Sequence, residues 1–390
     1  VLHATRELLS VAYTPAMQEE SLPRVFHFVT GGFSGATQVA IDLARANLEG
    51  GRFSPLLVLR RKSNTSDERV DKLRETGLPV AVVPGWSHAA TVWALWRLCR
   101  RIQPSLMVAH GFPEHLLGRH AALLAGVPHM VHVEHSTRER YTRWRLLQAR
   151  WLAERSDAIV GVSAGVEQSL LRLGMASART LHISNGIDLS RFVSAPSYKV
   201  RSSDIVMSGR FSRDKDHLSL VRALALLRDE HGLRPNLHLA GAGKVRYQRE
   251  AEALAKRLRL TEQVRFLGYV PAIAELLKQH KHYVLSTRRE GMPLALVEAM
   301  AAGCACVATM VPGVDGVLEH GRTGLMVPPS DPSALAQALK RLLTEPAEAE
   351  RMANAAREQA LTAHGLPLMR ERYEALFERV LRQPQPVSRP

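Results

Sequence analysis

From Arg24 onward, short apolar runs alternate with longer stretches whose apolar positions recur every three or four residues. In the first half the short runs are Val25–Thr30, Leu56–Leu59, Val80–Val83, Leu106–Ala109, Met130–Glu134 and Ala158–Val162, each read as a strand. Segments such as Gln38–Leu48 and Thr91–Arg101 carry the helical period between them. After residue 200 the rhythm restarts with Asp204–Ser208, Leu237–Ala240, Val264–Phe266, Tyr283–Leu285, Ala305–Ala308 and Leu325–Val327. Strands spaced by helices imply parallel sheets covered on both faces. Two such series predict an α/β chain of two doubly wound, Rossmann-like domains facing each other across a cleft. They span residues 23–192 and 200–369, after an extension at 1–22 that is expected to drape or fray. Phe192–Lys199, where Ser, Pro and Ala interrupt both patterns, marks the boundary.

Composition agrees and narrows the class. A length of 390 residues exceeds what one core normally serves. Hydrophobic residues at 46% and charged residues at 23% exclude disorder and fibres. The 52 Lys+Arg against 37 Asp+Glu give a net charge of +15, which argues for anionic partners without choosing among them. No basic tail concentrates that charge. Cys99, Cys304 and Cys306 cannot frame a disulfide-stapled fold, and Cys304-x-Cys306 lacks the second pair a zinc site needs. No apolar run reaches the roughly 18 residues of a membrane span, and no secretory segment opens the chain, which begins at Val1. A reducing, cytoplasmic setting is expected.

In open α/β sheets ligands bind beyond the carboxyl ends of the strands. The first strand runs into Gly31-Gly32-Phe33-Ser34-Gly35, a turn that can bring backbone amides to an anion or simply turn the chain. Asp204–Ser208 leads into Gly209-Arg210-Phe211-Ser212-Arg213-Asp214-Lys215, where Arg210 and Lys215 either converge on a diphosphate or stay solvated. Tyr283–Leu285 ends in a loop carrying Glu290, followed by Pro293 at a helix start, Glu298 within the helix and Gly303 at its end. Two carboxylates there suit the paired hydroxyls of a sugar, or are ordinary charges near a helix N-terminus.

Glu290-x7-Glu298 followed by Ala-Met-Ala-Ala-Gly resembles the retaining, nucleotide-sugar-dependent glycosyltransferases of family 4, with the GT-B fold. Asn185-Gly186-Ile187-Asp188, Gly209 through Lys215, Gly241-Ala242-Gly243, Phe266 through Val270 and Gly321-x-Thr323-Gly324-Leu325 extend the likeness over most of the chain. The resemblance implies that Arg210 and Lys215 bind the donor diphosphate and that Glu298 holds the ribose hydroxyls. It implies that Glu290 and the backbone of Gly291, Met292 and Leu294 meet the donor sugar. Leu267, Tyr269 and Val270 would contact the base, and Gly31, Gly32, Gly209, Gly241 and Gly243 would shape the donor site. His135 matches a first-domain histidine near the reacting sugar, with His110, Arg138 and Arg140 on the acceptor side. A C-terminal helix within 370–390 would pack back toward the first domain. Two departures stand out. Asp216 follows the lysine where Gly or Asn is frequent, and Pro293 has no amide to give, which points to Leu294 as the donor.

No metal or cofactor beyond the nucleotide-sugar co-substrate is expected. Asp214-Lys215-Asp216 spells a D-x-D but lies several residues beyond its strand, in a cationic loop. Gly241-Ala242-Gly243-Lys244 fails as a phosphate-binding P-loop, since position 238 is His and position 245 Val. For the acceptor, Arg138–Arg155 holds six arginines against Glu139 and Glu154, with Trp144, Leu147 and Trp151 on one helical face. Three readings stay open: contact with anionic lipid headgroups, pairing with an anionic glycan such as a lipopolysaccharide core, or tryptophans buried in the core under solvated arginines. A nonhydrolysing nucleotide-sugar 2-epimerase shares the two-domain plan and is the rival activity. No pattern for nucleic-acid binding occurs.

Overall fold

The structure is a computed structural model describing residues 22–137 and 141–384. Nearly all of the expected N-terminal extension, and Arg138 and Arg140, lie outside the described residues. The chain divides into two compact units. The first comprises the described residues up to Val162, Val166–Ile183 and the segment from Arg370; the second comprises Ser163–Gly165 and Ser184–Met369.

The first unit is built on a parallel sheet of order β3-β2-β1-β4-β5-β6-β7. Its strands are β1 (Arg24–Thr30), β2 (Ser54–Arg60), β3 (Val80–Val83), β4 (Leu106–His110), β5 (His129–Glu134), β6 (Ala158–Gly161) and β7 (Thr180–His182). Helices α1 (Gly35–Gly50), α2 (Asp67–Glu75), α3 (His88–Ile102), α4 (Glu114–Ala125), α5 (Arg143–Ala153) and α6 (Ala164–Arg172) follow in turn. Burial on both faces explains the apolar runs within the strands. Phe26, Phe28, Leu56 and Val58 join a core with Leu95 and Met130, while Val29, Leu57 and Leu59 pack against Ile41 and Ala44 of α1. Ser34 caps α1 by accepting from the Thr37 amide, and Thr37 Oγ1 accepts from the Ser34 amide at 3.1 Å. Thr37 Oγ1 also donates to Thr30 O at 2.9 Å, which fixes helix to strand.

The second unit holds a parallel sheet of order β10-β9-β8-β11-β12-β13. It contains β8 (Ser202–Ser208), α7 (His217–His231), β9 (Leu237–Ala240), α8 (Val245–Arg257), β10 (Val264–Gly268), α9 (Ile273–Lys278) and β11 (His280–Leu285). Then come α10 (Leu294–Ala301), β12 (Ala305–Thr309), β13 (Leu325–Val327), α11 (Pro332–Thr344) and α12 (Pro346–Ala363). Helix α13 (Leu366–Leu381) starts with this unit, but from Arg370 it belongs to the first. There Arg52 pairs with Glu374 and Glu378, Arg370 lies 2.7 Å from Glu49, and Phe377 packs on His27 and Phe53.

Candidate active site

In the second unit the loops after β8, β9 and β11 converge. Gly209 donates its amide to Ala240 O at 2.9 Å, and Gly241 donates to Gly268 O at 2.7 Å. Glycine at 241 is obligatory. Its φ is +150°, and a Cβ there would fall 2.0 Å from Gly209 O. A Cβ on Gly243 would meet Phe211 N and O at 2.4 Å. These two glycines therefore let two strand-end loops touch backbone to backbone. Leu267 and Tyr269 stand exposed just beyond, at the end of β10.

The loop after β8 is tied to the end of β11. Arg288 N and Thr287 Oγ1 both donate to Asp214 O, at 2.7 and 3.0 Å. This places the Lys215 ammonium 2.5 Å from Glu290 Oε1, both side chains being largely shielded. Arg210 is exposed on the same loop. Two residues singled out independently in the sequence, 75 positions apart, thus form one ion pair.

Glu298 lies in α10, mostly buried, and burial raises its carboxyl pKa while Arg191 opposes the shift. Arg191 Nη1 stands 3.7 Å from Glu298 Oε1, a partner the sequence did not indicate because it sits in a short turn before the boundary. The chain makes a tight turn about Pro293 (φ −82°, ψ 84°), in which the Leu294 amide donates to Met292 O at 3.1 Å. That amide is engaged in this conformation, which moves attention to Ala295 in the first turn of α10, where amides lack helical acceptors. Met292 is buried, with its sulfur accepting from Asn185 N at 3.0 Å, and Gly291 O accepts from Ser163 Oγ at 2.7 Å.

Asp216 is explained by its surroundings. It begins α7 with φ +38°, and its buried carboxylate accepts from Arg288 at 2.9 Å and from Ser219 and Ser330, each at 2.9 Å. Asp214 is exposed, 3.9 Å from Arg289. The two acids of the D-x-D therefore answer different arginines.

In the first unit His110 ends β4 and His135 follows β5. Their rings stack, with His110 Nδ1 3.2 Å from His135 Nε2. Burial lowers both pKa values, so the pair is neutral at physiological pH and exchanges hydrogen bonds rather than charge. The Gly31 amide donates to Arg60 O at 2.8 Å, and a Cβ at that position would meet the same oxygen at 2.7 Å. Glycine at 31 serves a close approach of two strands' ends, with its amide bonded to Arg60 O. Gly32 donates only weakly, to Thr30 Oγ1 at 3.4 Å. Sequence reasoning missed the buried Glu114, which pairs with Arg60 at 3.2 Å and Lys62 at 3.0 Å, and the fully buried Arg119 bonded to His115 and Ser156. Neither carries a motif; only an acid and an arginine in otherwise apolar helical positions betray them.

The arginine-rich segment resolves in part. Trp144, Leu147 and Trp151 of α5 are 69, 56 and 44% exposed, so the reading that buries the tryptophans is overturned. Arg155 lies over the Trp151 ring at 4.1 Å. Trp93 of α3, also exposed, carries Arg97 in the same way at 4.8 Å. No described helix is long and apolar enough to cross a membrane.

Comparison with known proteins agrees with this architecture. Residues 33–191 match the family model Glycosyltransferase Family 4, and residues 196–359 match Glycosyl transferases group 1. A glycogen synthase of Mycobacterium tuberculosis is 30% identical over 213 residues, 54% of this chain and 51% of that protein. The UDP-Gal:alpha-D-GlcNAc-diphosphoundecaprenol alpha-1,3-galactosyltransferase of Escherichia coli is 27% identical over 274 residues, 64% of this chain and 69% of that one. The chain thus spans about half the length of the first of these relatives. Among solved structures, Anabaena HepE in complex with UDP and glucose superposes with a TM-score of 0.80 at 20% identity, covering 92% of this chain and all of that one. With both halves matched and both sheets in place, the chain belongs to the GT-B glycosyltransferases of family 4 and group 1.

Proposed function

We propose that the protein moves a hexose-type sugar from a nucleoside diphosphate sugar to a glycan or lipid-linked acceptor, with retention of configuration and without a divalent metal. The observation that carries this reading is the Lys215–Glu290 pair at 2.5 Å at the strand ends of the second unit, on the loop that also carries Arg210. Lys215 and Arg210 meet the diphosphate. Glu290 holds Lys215 in place and accepts from a sugar hydroxyl, while Glu298 accepts from the ribose.

In the reaction the bond from the anomeric carbon to the β-phosphate oxygen breaks, and its electron pair stays on the phosphate. Arg210 and Lys215 offset that charge. The acceptor oxygen bonds to the anomeric carbon from the face the phosphate leaves, and its proton passes to a phosphate oxygen. Neither glutamate is needed as a nucleophile, because both have binding roles. Neutral His135 supplies a hydrogen bond near the reacting sugar, and neutral His110 one on the acceptor side. The exposed tryptophan and arginine face of α5 supports work at an anionic membrane surface on its cytoplasmic side, where a lipid-linked or lipopolysaccharide-type acceptor would be met. The diphosphoundecaprenol-linked acceptor named for the E. coli relative is of this class.

The test is product analysis with a panel of nucleotide sugars and polyprenyl-diphosphate or lipopolysaccharide-core acceptors. NMR of the new linkage should show the donor's anomeric configuration, and EDTA should leave the rate unchanged. An inverted linkage or strict Mn²⁺ dependence would reject the mechanism. Donor epimerisation without any acceptor would favour the epimerase.

A further inference from the structure

We propose that the amino-terminal rim of the second sheet holds a divalent transition-metal ion between Asp204, His238 and His280. These residues sit on three adjacent strands, β8, β9 and β11, at the ends opposite the Lys215 and Glu290 loops. Their candidate ligand atoms all lie within 4.8 Å of one another.

The backbone gathers them. His238 pairs in register with Val206, so it shares a face with Asp204, two residues earlier on β8. Regular pairing would turn His280 to the other face, because His282 pairs with Ile205. A register slip between His280 and His282 instead sets His280 opposite Ser202 and brings its ring to the Asp204 face. An extra residue that re-aims a side chain is what a β-bulge supplies, and bulges are common beside functional sites.

The donor set is pre-oriented. His280 Nδ1 donates to Leu276 O at 2.7 Å, which leaves Nε2 as the lone-pair nitrogen and is the second hydrogen bond that ligating histidines usually have. That Nε2 stands 3.1 Å from His238 Nδ1, close to the separation of two nitrogens sharing an ion at about 2.0–2.1 Å. Asp204 Oδ1 is pinned by the Asn236 amide and side chain, each at 3.1 Å, which leaves Oδ2 as the oxygen facing His238. His238 Nε2 is buried without a hydrogen-bond partner and lies 3.9 Å from Asp204 Oδ2. When the ion replaces the proton shared by the two rings, that proton moves to His238 Nε2. Asp204, whose ligand atom lies within 4.8 Å of those of both histidines, then turns its carboxylate from Nε2 to the ion, and water fills the remaining positions. Two imidazoles and one carboxylate suit zinc, nickel or cobalt rather than magnesium or calcium.

The surroundings include Arg265, which pairs in register with His238, and Lys281 on β11. Arg265 is exposed and Lys281 is at the margin. The His115, His132 and Glu134 triad differs in that both His115 nitrogens are already engaged, by Arg119 at 2.6 Å and Tyr141 at 2.8 Å.

The test uses the full chain without an affinity tag, stripped with EDTA and titrated with Zn²⁺ by calorimetry, with Co²⁺ as a spectroscopic probe. One equivalent should bind, with the visible spectrum of imidazole-ligated Co²⁺. His280→Gln and His238→Gln should each weaken that equivalent by at least about tenfold. Asp204→Asn keeps the acceptor to Asn236 and serves should a histidine variant fail to fold; it should weaken the site as well. Affinity unchanged in all three variants, or no stoichiometric binding to the wild type, overturns the proposal. Sugar transfer measured on the same variants keeps this outcome separate from that of the proposed activity.

Discussion

Replacing Lys215 by Met removes the ammonium but keeps most of the stem that covers Gly209, whose Cβ position lies 3.5 Å from the lysine's Cδ and Cε. The effect divides into two parts. In the resting protein Glu290 loses the cation 2.5 Å away while staying largely shielded, a cost of about 1.5–3 kcal/mol for a hydrogen bond between charged groups. That is survivable for a domain of this size. In the transition state the leaving diphosphate loses a charge-stabilising donor, about 2.7–4 kcal/mol by analogy with oxyanion donors, or roughly 10²–10³ in turnover. The assay is nucleotide release coupled to a colour reaction at saturating donor, alongside urea unfolding. Turnover should fall at least a hundredfold while the unfolding midpoint shifts modestly. Adding Glu290→Gln to Lys215→Met should cost much less than the sum of the two single changes, because the two residues act as a pair. A Lys215→Met enzyme within threefold of wild type, or full additivity of the two changes, would refute the assignment.

Gly241→Ala should be severely destabilising or fail to fold, since the new Cβ would meet Gly209 O at 2.0 Å in a backbone region reserved for glycine; a normal melting curve would contradict the loop geometry. Acid should weaken the first unit. Burial holds His27 at about 4 against 6.5 when unfolded, so the unfolded chain binds more protons and stability falls as pH drops from about 6.5 toward 4. His27 alone should remove about 2 kcal/mol by about pH 5, with buried His110, His115 and His132 acting in the same direction; equal urea midpoints at the two pH values would exclude this. Cys99, Cys304 and Cys306 are buried and free, with burial pushing Cys99 and Cys304 up to about 12, so a thiol reagent should react only after denaturation. Trp144→Ala combined with Trp151→Ala should abolish salt-sensitive binding to anionic vesicles while leaving donor hydrolysis intact; undiminished binding would remove α5 from the membrane reading.

The strands were legible because both faces of each sheet are buried, so every interior strand contains an apolar run. β7 escaped for the converse reason: it is a three-residue edge strand, half exposed, with Thr180 and His182 at its ends. At the site, Lys215 and Glu290 were legible from residue type and position after a strand, and the structure joins them. Amide assignments were not. The Leu294 and Gly31 amides depend on local turns that bond them to Met292 O and Arg60 O, which residue identity does not reveal. The Asp204–His238–His280 cluster depends on a register slip, and its members are 34 and 42 positions apart with no spacing motif.

The central claim is that the strand-end loops of the second unit bind a nucleoside diphosphate. The most direct measurement is the melting temperature of the wild type and of Lys215→Met across UDP, GDP, ADP and inorganic phosphate, with a mixed oligonucleotide as control. One diphosphate should stabilise the wild type in a concentration-dependent way, by about 2.7 kcal/mol at a hundred times its Kd, and should stabilise Lys215→Met far less. Stabilisation by the oligonucleotide alone, or equal stabilisation of both proteins by the diphosphate, would contradict the account.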